Sequence, residues 1–533
     1  MPNLIATLFP FLLITLPWLN PFALGPSPNA GPLLFSWACA LVLVGVSGFG
    51  LGRAPGLAPG ERLVRVSAAA WLAAAVVSAV LGLLQYFGAT AVFGQWVNNT
   101  GLGQAFANLG QRNQFATLTN IGLVALLWWA VQIPLPAAQE APPPESNPSE
   151  ARPPEDPPVP LAWGLALAAA LVLGAGNAAS SSRTGLLQLL ALVVLAVVWR
   201  GWRVPRARQI LMAAVFAYGW AALMLPRLMG LDPDAAGILA RLQAGDSVCG
   251  SRLTLWGNVL YLIEQKPWLG WGWGELDFAH FITLYPASAP RFCDILDNAH
   301  NLPLQLAVEL GVPVALAFCG ALILALWRGK PWRETDPTRQ MAWAVLGIIL
   351  LHSMLEYPLW YGPFQMAFGL GIWMLLRAPG ESSEPLNSSK PFRPLAPYLQ
   401  AWAAMLLLAC VGYAAWDYQR ISQIYKPPEA RQAAYRDNTL EKLGASWLFK
   451  GQVNFAGLTT TELTPDNAAQ INSLAQEVLH FSPEARVVKR VIKSAQLLGL
   501  DAQVQYYRAR YEAAFPESYA RWLQENADLD SIE

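Results

Sequence analysis

A histidine stands among short polar side chains in the stretch DNAHN at 297–301, directly before a long apolar run that begins at Leu302. Asn301 and Pro303 are residue types favoured at the N-cap and in the first turn of a helix. The expected helix N-terminus would offer N–H groups to an anion, and His300 could remove a proton from a hydroxyl. We therefore interpret His300 and Asn301 as members of a reaction site; the alternative is a histidine that merely lies on the surface.

Two arginines stand out by their positions. Arg183, in SSSRTG, falls in a loop of only a few residues between two apolar segments, where an isolated cation needs a partner. Arg252, in CGSRLTLW, begins an amphipathic segment, and its planar guanidinium can hold a phosphate through two hydrogen bonds. Both arginines are expected to bind an anion. The alternative for Arg252 is an ion pair with a nearby Asp or Glu.

A further group of polar residues lies in LHSMLEYPLWYGPF, at the end of another apolar segment. His352 and Glu356 are one helical turn apart and share a face, and Tyr357 and Tyr361 follow them. Ionisable groups inside a membrane cost roughly 2.5–3.5 kcal/mol each and usually face a cavity. We expect this group to face the same site as His300, unless His352 and Glu356 form only a pair that holds helices together.

Membrane helices must position these residues. The chain has 533 residues, of which 54% are hydrophobic and only 13% are charged, whereas roughly a quarter of the residues of soluble proteins are charged. A spanning helix needs about 17–25 apolar residues. About eleven segments meet this requirement: 4–20, 33–52, 66–88, 114–133, 160–176, 184–200, 208–228, 302–327, 339–359, 361–378 and 398–416. The sequence therefore predicts an all-α polytopic membrane protein.

Positive charge indicates the orientation of these spans, because Lys and Arg are retained in cytoplasmic loops. They are concentrated in every second loop, as Arg62 and Arg65 are in the first of these, whereas the intervening short loops contain only Arg112 and Arg183. The first span is expected to be an anchor rather than a cleaved signal peptide. The N-terminus would then be cytoplasmic, and the large 229–301 loop and everything after residue 416 would lie on the outer side.

Two regions outside the spans differ in composition. Residues 134–160 contain eleven prolines among acidic and small residues, which predicts a disordered cytoplasmic loop. Residues 417–533 carry ordinary charge and contain helix start and stop signals, for example Gly499 followed by Asp501. We expect a C-terminal domain of helical hairpins with tetratricopeptide-like packing, distinct from a transmembrane catalytic domain over residues 1–416.

The large 229–301 loop contains two cysteines, Cys249 and Cys293. In an oxidising compartment such a pair is expected to form a disulfide, with two free thiols as the alternative. The same loop contains PWLGWGWG at 267–274, a tight turn that places three tryptophans at the membrane interface. These tryptophans form an aromatic belt or, alternatively, stack on a sugar or isoprenoid.

No metal or other cofactor is expected, because the four histidines and the cysteines show no paired ligand spacing. The main alternative is a divalent ion held by Asp294, Asp297 and His300, since carboxylate oxygens are suitable ligands for such ions. The arginines already offer the positive charge that such an ion would supply.

Taken together, these motifs resemble the O-antigen ligase and polymerase superfamily. Its pattern extends from SSSRTG through SRLTLW, PWLGWGWG and AHNLPLQLAVELG to HSMLEYPLWY. NLGQRNQFAT at 108–117 resembles the short signature of the branch that glycosylates proteins such as pilins, the bacterial protein O-oligosaccharyltransferases. The C-terminal region resembles the extra domain common in that branch, so the resemblance covers most of the chain.

The resemblance implies a GT-C-like ligase fold in the bacterial inner membrane, with the site and the C-terminal domain in the periplasm. It implies transfer of a preassembled oligosaccharide from undecaprenyl diphosphate to Ser or Thr hydroxyls of pilins or other periplasmic proteins. The residues that would match the catalytic positions of the family are His300, Arg183, Arg252, Gln111 and Tyr357, or less closely Tyr361 in place of Tyr357. Other residues expected to contact the substrates are Asn301, Glu356, His352, Tyr361 and Arg112.

Three other functions remain open at this stage. An O-antigen ligase acting on lipid A core would use the same catalytic groups with a different acceptor, and a polymerase would join lipid-linked repeats. A lipid-linked glycan transporter would also need many spans and cationic cavities, but its charges would line both sides of a central path. Here the expected site residues cluster at one face, which favours an enzyme.

Overall fold

The computed structural model describes residues 2–19, 30–47, 59–97, 100–132, 161–232, 237–243, 249–377 and 396–530. All regular secondary structure in these ranges is helical, which confirms the predicted all-α class. The proline-rich segment 134–160 lies outside the described residues.

The first seven helices precede the large loop. They are α1 (Pro2–Leu19), α2 (Ala30–Ser47), α3 (Pro59–Tyr86), α4 (Arg112–Gln132), α5 (Leu161–Ala179), α6 (Arg183–Val198) and α7 (Pro205–Leu228). The large loop contains α8 (Gly237–Gln243), α9 (Arg252–Gln265) and α10 (Leu276–Ile282). The chain continues through α11 (Leu302–Leu310), α12 (Val312–Gly329), α13 (Pro337–Ser353), α14 (Gly362–Leu376) and α15 (Ala396–Ile421).

Each of the eleven predicted spans coincides with helical structure. Among the described residues, seven helices are long and apolar enough to cross a membrane, namely α2, α3, α4, α5, α7, α12 and α15. Shorter apolar helical segments lie in α1, α6 and α14, at Ala6–Leu19, Arg183–Val198 and Gly362–Leu376. The chain is therefore a multi-pass membrane protein, and the number eleven stays a prediction.

Helix α4 is the centre of the bundle. It packs against α3, α5, α6, α7 and α13, and most of its side chains are buried. The buried side chains include amides and hydroxyls such as Asn113, Thr117 and Asn120. Their spacing of three to four residues places them along one face, where they can bond to neighbouring helices.

Two predicted spans differ from the observed helices. The span predicted at 302–327 is two helices, because Gly311 between them has a φ of +92° that most residues avoid. The glycine-rich turn packs into this break: Trp271 N–H donates to Val308 O at 2.8 Å and Val312 N–H donates to Pro267 O at 2.8 Å. The span predicted at 66–88 begins earlier, since α3 starts at Pro59.

The C-terminal region consists of short helices that pair in sequence order: α16 (Thr439–Leu443), α17 (Lys450–Thr460), α18 (Ala468–Leu479), α19 (Ala485–Leu497), α20 (Asp501–Ala514) and α21 (Pro516–Asp530). Gly499, with a φ of +68°, separates α19 from α20 as the sequence predicts. The tetratricopeptide-like packing and the placement of this region on the outer side stay predictions.

This C-terminal region docks on the large loop. Phe281 of α10 belongs to the same apolar core as α18 and α19. His480 Nδ1 lies 2.7 Å from Glu275 Oε2, and Arg510 Nε donates to Ile282 O at 2.8 Å. The large loop is thus held between the membrane bundle and the C-terminal helices.

Candidate active site

Glu356 lies at the centre of the candidate site. Its side chain is only 9% exposed, and its Oε1 accepts hydrogen bonds from Asn113 Nδ2 at 2.8 Å and Arg252 Nη2 at 2.9 Å. Its Oε2 accepts a hydrogen bond from Gln111 Nε2. A buried carboxylate is tolerated only where donors compensate it. Glu356 therefore joins the start of α4 and the start of α9 to the end of α13.

Beneath Glu356, buried polar side chains connect α4 to α6 and α13. Asn113 accepts a hydrogen bond from Ser182 Oγ at 2.6 Å, and Thr117 Oγ1 lies 3.0 Å from His352 Nδ1. His352 is fully buried, and its Nε2 is 3.9 Å from Glu356 Oε2, beyond hydrogen-bond length. His352 and Glu356 therefore contact α4 separately, through Thr117 and Asn113, and do not form the mutually bonded pair of the alternative. A role of His352 toward a substrate stays a prediction.

Arg252 reaches the site from the first turn of α9. The N-cap of this helix is Ser251, which accepts a hydrogen bond from Thr254 N–H at 3.1 Å. Cys249, just before the cap, is joined to Cys293 in a disulfide, so the start of α9 is tied to the segment that leads to His300. The Arg252 side chain, which forms an ion pair with Glu356 at 2.9 Å, is 34% exposed.

His300 is held in an unusual backbone conformation. Its φ is +51°, in the left-handed region that costs energy for a residue with a Cβ, and its N–H donates to Asn298 Oδ1 at 2.9 Å. Burial lowers the pKa of His300, and Arg252 lowers this pKa further, while Glu356 and Asp297 oppose the shift. The imidazole is therefore held neutral near pH 7, the form that can accept a proton.

Asn301 and Tyr357 fix the surroundings of the imidazole. Asn301 caps α11 by accepting a hydrogen bond from Leu304 N–H at 3.1 Å, and its Nδ2 donates to Met354 O at 3.1 Å. This second bond ties the start of α11 to the end of α13. The Tyr357 ring consequently packs edge-on against the His300 ring, with centroids 5.1 Å apart.

The two tyrosines that the sequence leaves as alternatives occupy different places. Tyr361 stacks on Tyr357, with the ring centroids 6.0 Å apart and the ring planes inclined by 20°. Among the described residues, the ring contact to His300 is made by Tyr357. Tyr361 thus lies in position to support Tyr357, and Tyr357 is the tyrosine adjacent to the imidazole.

Two further predicted arginines are the first residues of helices that begin near this centre. Arg183 is the first residue of α6, and its side chain is exposed. Arg112 is the first residue of α4, with its guanidinium 4.9 Å from the centroid of the Phe106 ring. It lies within electrostatic range of both Glu356 and Arg241. The site therefore contains more positive than negative side chains.

Sequence patterns do not single out Arg241, which the structure places beside the predicted residues. Its Nη1 donates to Ser181 O at 2.9 Å, two positions before Arg183. Arg241 belongs to α8, in the large loop, and the loop has few cations. The scarcity of cations in the loop could have marked Arg241 as a candidate. Its position beside SSSRTG, however, is apparent only in the folded structure.

Four helices, α4, α6, α9 and α11, begin around Glu356. Gln111 and Arg252 donate hydrogen bonds to Glu356 itself. Ser182 donates to Asn113, which in turn donates to Glu356. Asn301 donates to the main-chain oxygen of Met354, close to Glu356 in the chain. Helix N-termini carry partial positive charge and unpaired N–H groups. Together with the arginines they form an environment suited to a multiply charged anion such as a diphosphate.

The described residues contain no group of three or more His, Cys, Asp or Glu side chains arranged to hold a metal ion. The alternative site of Asp294, Asp297 and His300 is thus not assembled there. The expectation of a reaction without a metal or other cofactor stays a prediction.

Comparison with known proteins gives matches along most of the chain. Three family models match in succession: protein glycosylation ligase at 105–130, O-antigen ligase at 167–319, and the C-terminal part of the virulence factor membrane-bound polymerases at 340–529. A general O-oligosaccharyltransferase of Acinetobacter baylyi is 27% identical over 183 residues, which cover 32% of this chain and 30% of that relative. No solved structure matches the chain significantly.

The matched segments contain every residue that the structure gathers around Glu356, from Gln111 in the first segment to Tyr357 in the last. The aligned region spans less than a third of the length of the Acinetobacter relative. The resemblance seen in the sequence motifs is confirmed: the chain is similar to O-antigen ligases and membrane-bound polymerases and, at 105–130, to protein glycosylation ligases.

Proposed function

We propose that this protein is an oligosaccharyltransferase that moves a preassembled glycan from undecaprenyl diphosphate to Ser or Thr hydroxyls of periplasmic proteins such as pilins. The observation that carries the proposal is the gathering of His300, Arg252 and Tyr357 around a fully bonded carboxylate. The match to a protein glycosylation ligase at 105–130 supports a protein acceptor. The site and the C-terminal region would face the periplasm, with the N-terminus in the cytoplasm.

The reaction is a substitution at the anomeric carbon of the first sugar. The acceptor oxygen forms a bond to that carbon while the bond from the carbon to the diphosphate oxygen breaks. The diphosphate leaves with the electron pair, and the hydroxyl proton passes to His300. Because the leaving group is already activated on the lipid, the chain needs to supply charge stabilisation and a base, in keeping with the large electrostatic share of enzyme catalysis.

The residues divide into three roles. His300, neutral near pH 7 because burial lowers its pKa, accepts or orients the proton. Arg252 and Arg183 stabilise the charge that develops on the departing diphosphate, helped by the helix N-termini. Glu356 holds Arg252 and Gln111 in place through hydrogen bonds and acts as a positioning residue.

The two proposed domains would cooperate in choosing the acceptor. Residues 1–416 would form the transmembrane catalytic domain, and residues 417–533 a periplasmic domain. The contacts of His480 with Glu275 and of Arg510 with Ile282 fix the C-terminal helices to the loop that supplies Arg252 and His300. An acceptor protein bound by the C-terminal helices would thus be delivered to the same loop.

The experiment that tests the proposal is glycan transfer by the purified full chain from undecaprenyl-diphosphate oligosaccharide to two acceptors, a pilin and lipid A core. The parent is compared with His300→Ala and with Arg328→Ala, a control that removes an exposed side chain from the last turn of α12, away from both the site and the C-terminal helices. Transfer to pilin that only His300→Ala abolishes supports the proposal. Transfer to lipid A core alone would reassign the protein as an O-antigen ligase.

A polymerase is the second function to consider, because the match at 340–529 is to membrane-bound polymerases. In the same experiment, a polymerase would produce lipid-linked products of two or more repeats without any added acceptor. The appearance of such products, with no glycosylated pilin, would favour the polymerase and contradict the proposed protein acceptor.

A further inference from the structure

A cavity lies at the end of the bundle opposite Glu356. Five helices line it, and each contributes residues from the end that points away from the candidate active site: the starts of α1, α3 and α15 and the ends of α2 and α14. Its volume is about 270 Å³, near the lower end of the usual size of ligand pockets, about 300–1,000 Å³.

Arg62 of α3 lines this cavity although it is 94% buried, with 6% of its surface exposed. Both terminal nitrogens of its guanidinium are buried, and among the described residues neither has a hydrogen-bond partner. Five N–H donors of a guanidinium need acceptors when water is excluded, and an uncompensated buried charge costs several kcal/mol. Within the described part of the chain, this guanidinium therefore lacks the anion that would compensate it.

Other cations surround Arg62, and the available carboxylate is already used. Glu61 Oε1 accepts a hydrogen bond from Arg65 Nη2 at 2.9 Å. Arg377 lies against the start of α3, since a Cβ placed on Gly60 would be within 2.8 Å of its guanidinium. Of the residues that the structure describes, three arginines and one glutamate therefore lie around this end of α3, and its first-turn N–H groups add to the positive potential.

The remaining lining of the cavity separates into polar and apolar parts. Ser47 and Gln400, which are hydrogen-bonded to each other at 3.1 Å, are polar groups of the lining. Leu43, Leu63 and Val66 give an apolar wall next to the guanidinium. A ligand with one phosphate, a few hydroxyls and a hydrocarbon part would match both.

We propose that this cavity binds the phosphate headgroup of an anionic phospholipid, held by Arg62. A guanidinium holds a phosphate through two parallel hydrogen bonds, and basic pockets between membrane helices are typical sites for anionic lipid headgroups. The apolar wall would receive the first part of an acyl chain. The lipid would stabilise the packing of α1, α2, α3, α14 and α15 at a site remote from the glycan-transfer chemistry, and the inference does not rest on that chemistry.

The test is thermal unfolding of the purified full chain in detergent, with phosphatidylglycerol, phosphatidylcholine or inorganic phosphate added. Phosphatidylglycerol should raise the Tm of the parent by about 3 °C or more, as a ligand of the folded state does, and phosphatidylcholine should not. Arg62→Gln should lose this response. The matched control is Arg328→Gln, which removes an exposed cation from the last turn of α12 and should keep it.

An equal response of the parent and Arg62→Gln to phosphatidylglycerol would overturn the proposal. A full response to inorganic phosphate would overturn the lipid as the ligand. If Arg62→Gln does not fold, the comparison is made with Arg377→Gln, and native mass spectrometry counts the bound phosphatidylglycerol. Arg377→Gln should then lower the bound fraction several-fold relative to Arg328→Gln, and an unchanged fraction would contradict the site.

Discussion

The two ends of the membrane bundle bury charges of opposite sign, and these charges differ in whether they have hydrogen-bond partners. At one end Glu356 is 9% exposed, and both of its oxygens accept hydrogen bonds from Gln111, Asn113 and Arg252. At the other end Arg62 is 6% exposed, and among the described residues its terminal nitrogens have no hydrogen-bond partner. Glu356 thus has its hydrogen-bond partners within the chain, whereas the described residues supply none to the terminal nitrogens of Arg62.

This difference separates two uses of a buried charge in a membrane protein. A compensated charge is a structural connection, because its partners are fixed relative to one another, as Arg252 is fixed to α4 and α13 through Glu356. An uncompensated charge costs free energy unless something outside the chain satisfies it. Under the two proposals made above, the Glu356 end positions residues for a reaction, and the Arg62 end is stabilised by a ligand.

The largest effect that the comparison predicts is at His300. Replacement by Ala should lower the transfer rate by about 10²–10⁴-fold, the usual contribution of a general base, with little change in Tm. Arg62→Gln, at the opposite end, should keep the transfer rate within about twofold when phosphatidylglycerol is present, since it lies outside the reaction site. Rates of both variants in a reconstituted transfer assay provide the measurement, and an active His300→Ala variant would break the assignment of chemistry to the Glu356 end.

The next effect is on stability, with opposite signs at the two ends. Glu356→Ala leaves Arg252 and two amides without their acceptor and should lower the free energy of unfolding by about 2–4 kcal/mol. Arg62→Gln in lipid-free detergent removes an uncompensated charge and should be neutral or stabilising. Thermal unfolding of the two variants side by side decides this. Equal destabilisation by both substitutions would show that the two buried charges do not differ in how far they are compensated.

The sequence predicts those features of the two ends that depend on local residue patterns. Hydropathy predicts each helical segment, because a spanning helix is defined by a local run of apolar residues. The motif residues His300, Arg252 and Tyr357 are also identified, and the structure brings them together. The break at Gly311 and the earlier start of α3 are missed, since the first depends on the docked glycine-rich turn and the second on burial of Arg62, which charge counting assigns to a loop.

Contacts between distant segments account for what the sequence leaves open. Nothing local to Glu356 indicates that its partners are Gln111, Asn113 and Arg252, residues that are more than a hundred positions away. The same holds for Arg241, which lies at the site because α8 packs near Ser181 in the folded chain. Residue types can therefore suggest a chemistry, while the state of each charge is decided by packing.

A smaller effect is expected from a change that keeps the charge at Arg252. Arg252→Lys retains a cation near Glu356 but loses the planar group that can bond the carboxylate and a phosphate at once. The transfer rate should fall by about tenfold, corresponding to roughly one lost charge-assisted hydrogen bond. The same assay measures this, and Arg328→Lys, an exchange at an exposed position, is the control. An unchanged rate in Arg252→Lys would mean that Arg252 serves only as a counter-charge for Glu356.

The smallest predicted effect is the pH dependence, and it distinguishes the two ends again. Burial lowers the pKa of His300 below the ordinary value, about 6.5 for a free histidine, so the base stays neutral and the transfer rate should fall by less than about twofold between pH 8 and pH 6.5. The rate should decline only at lower pH, when His300 becomes protonated. The stabilisation by phosphatidylglycerol should not change over this range, because guanidinium and phosphodiester groups in general carry fixed charges there. A transfer rate that rises on acidification would instead mean that protonated His300 binds the diphosphate, which would remove the base from the mechanism and leave both ends of the bundle as anion sites.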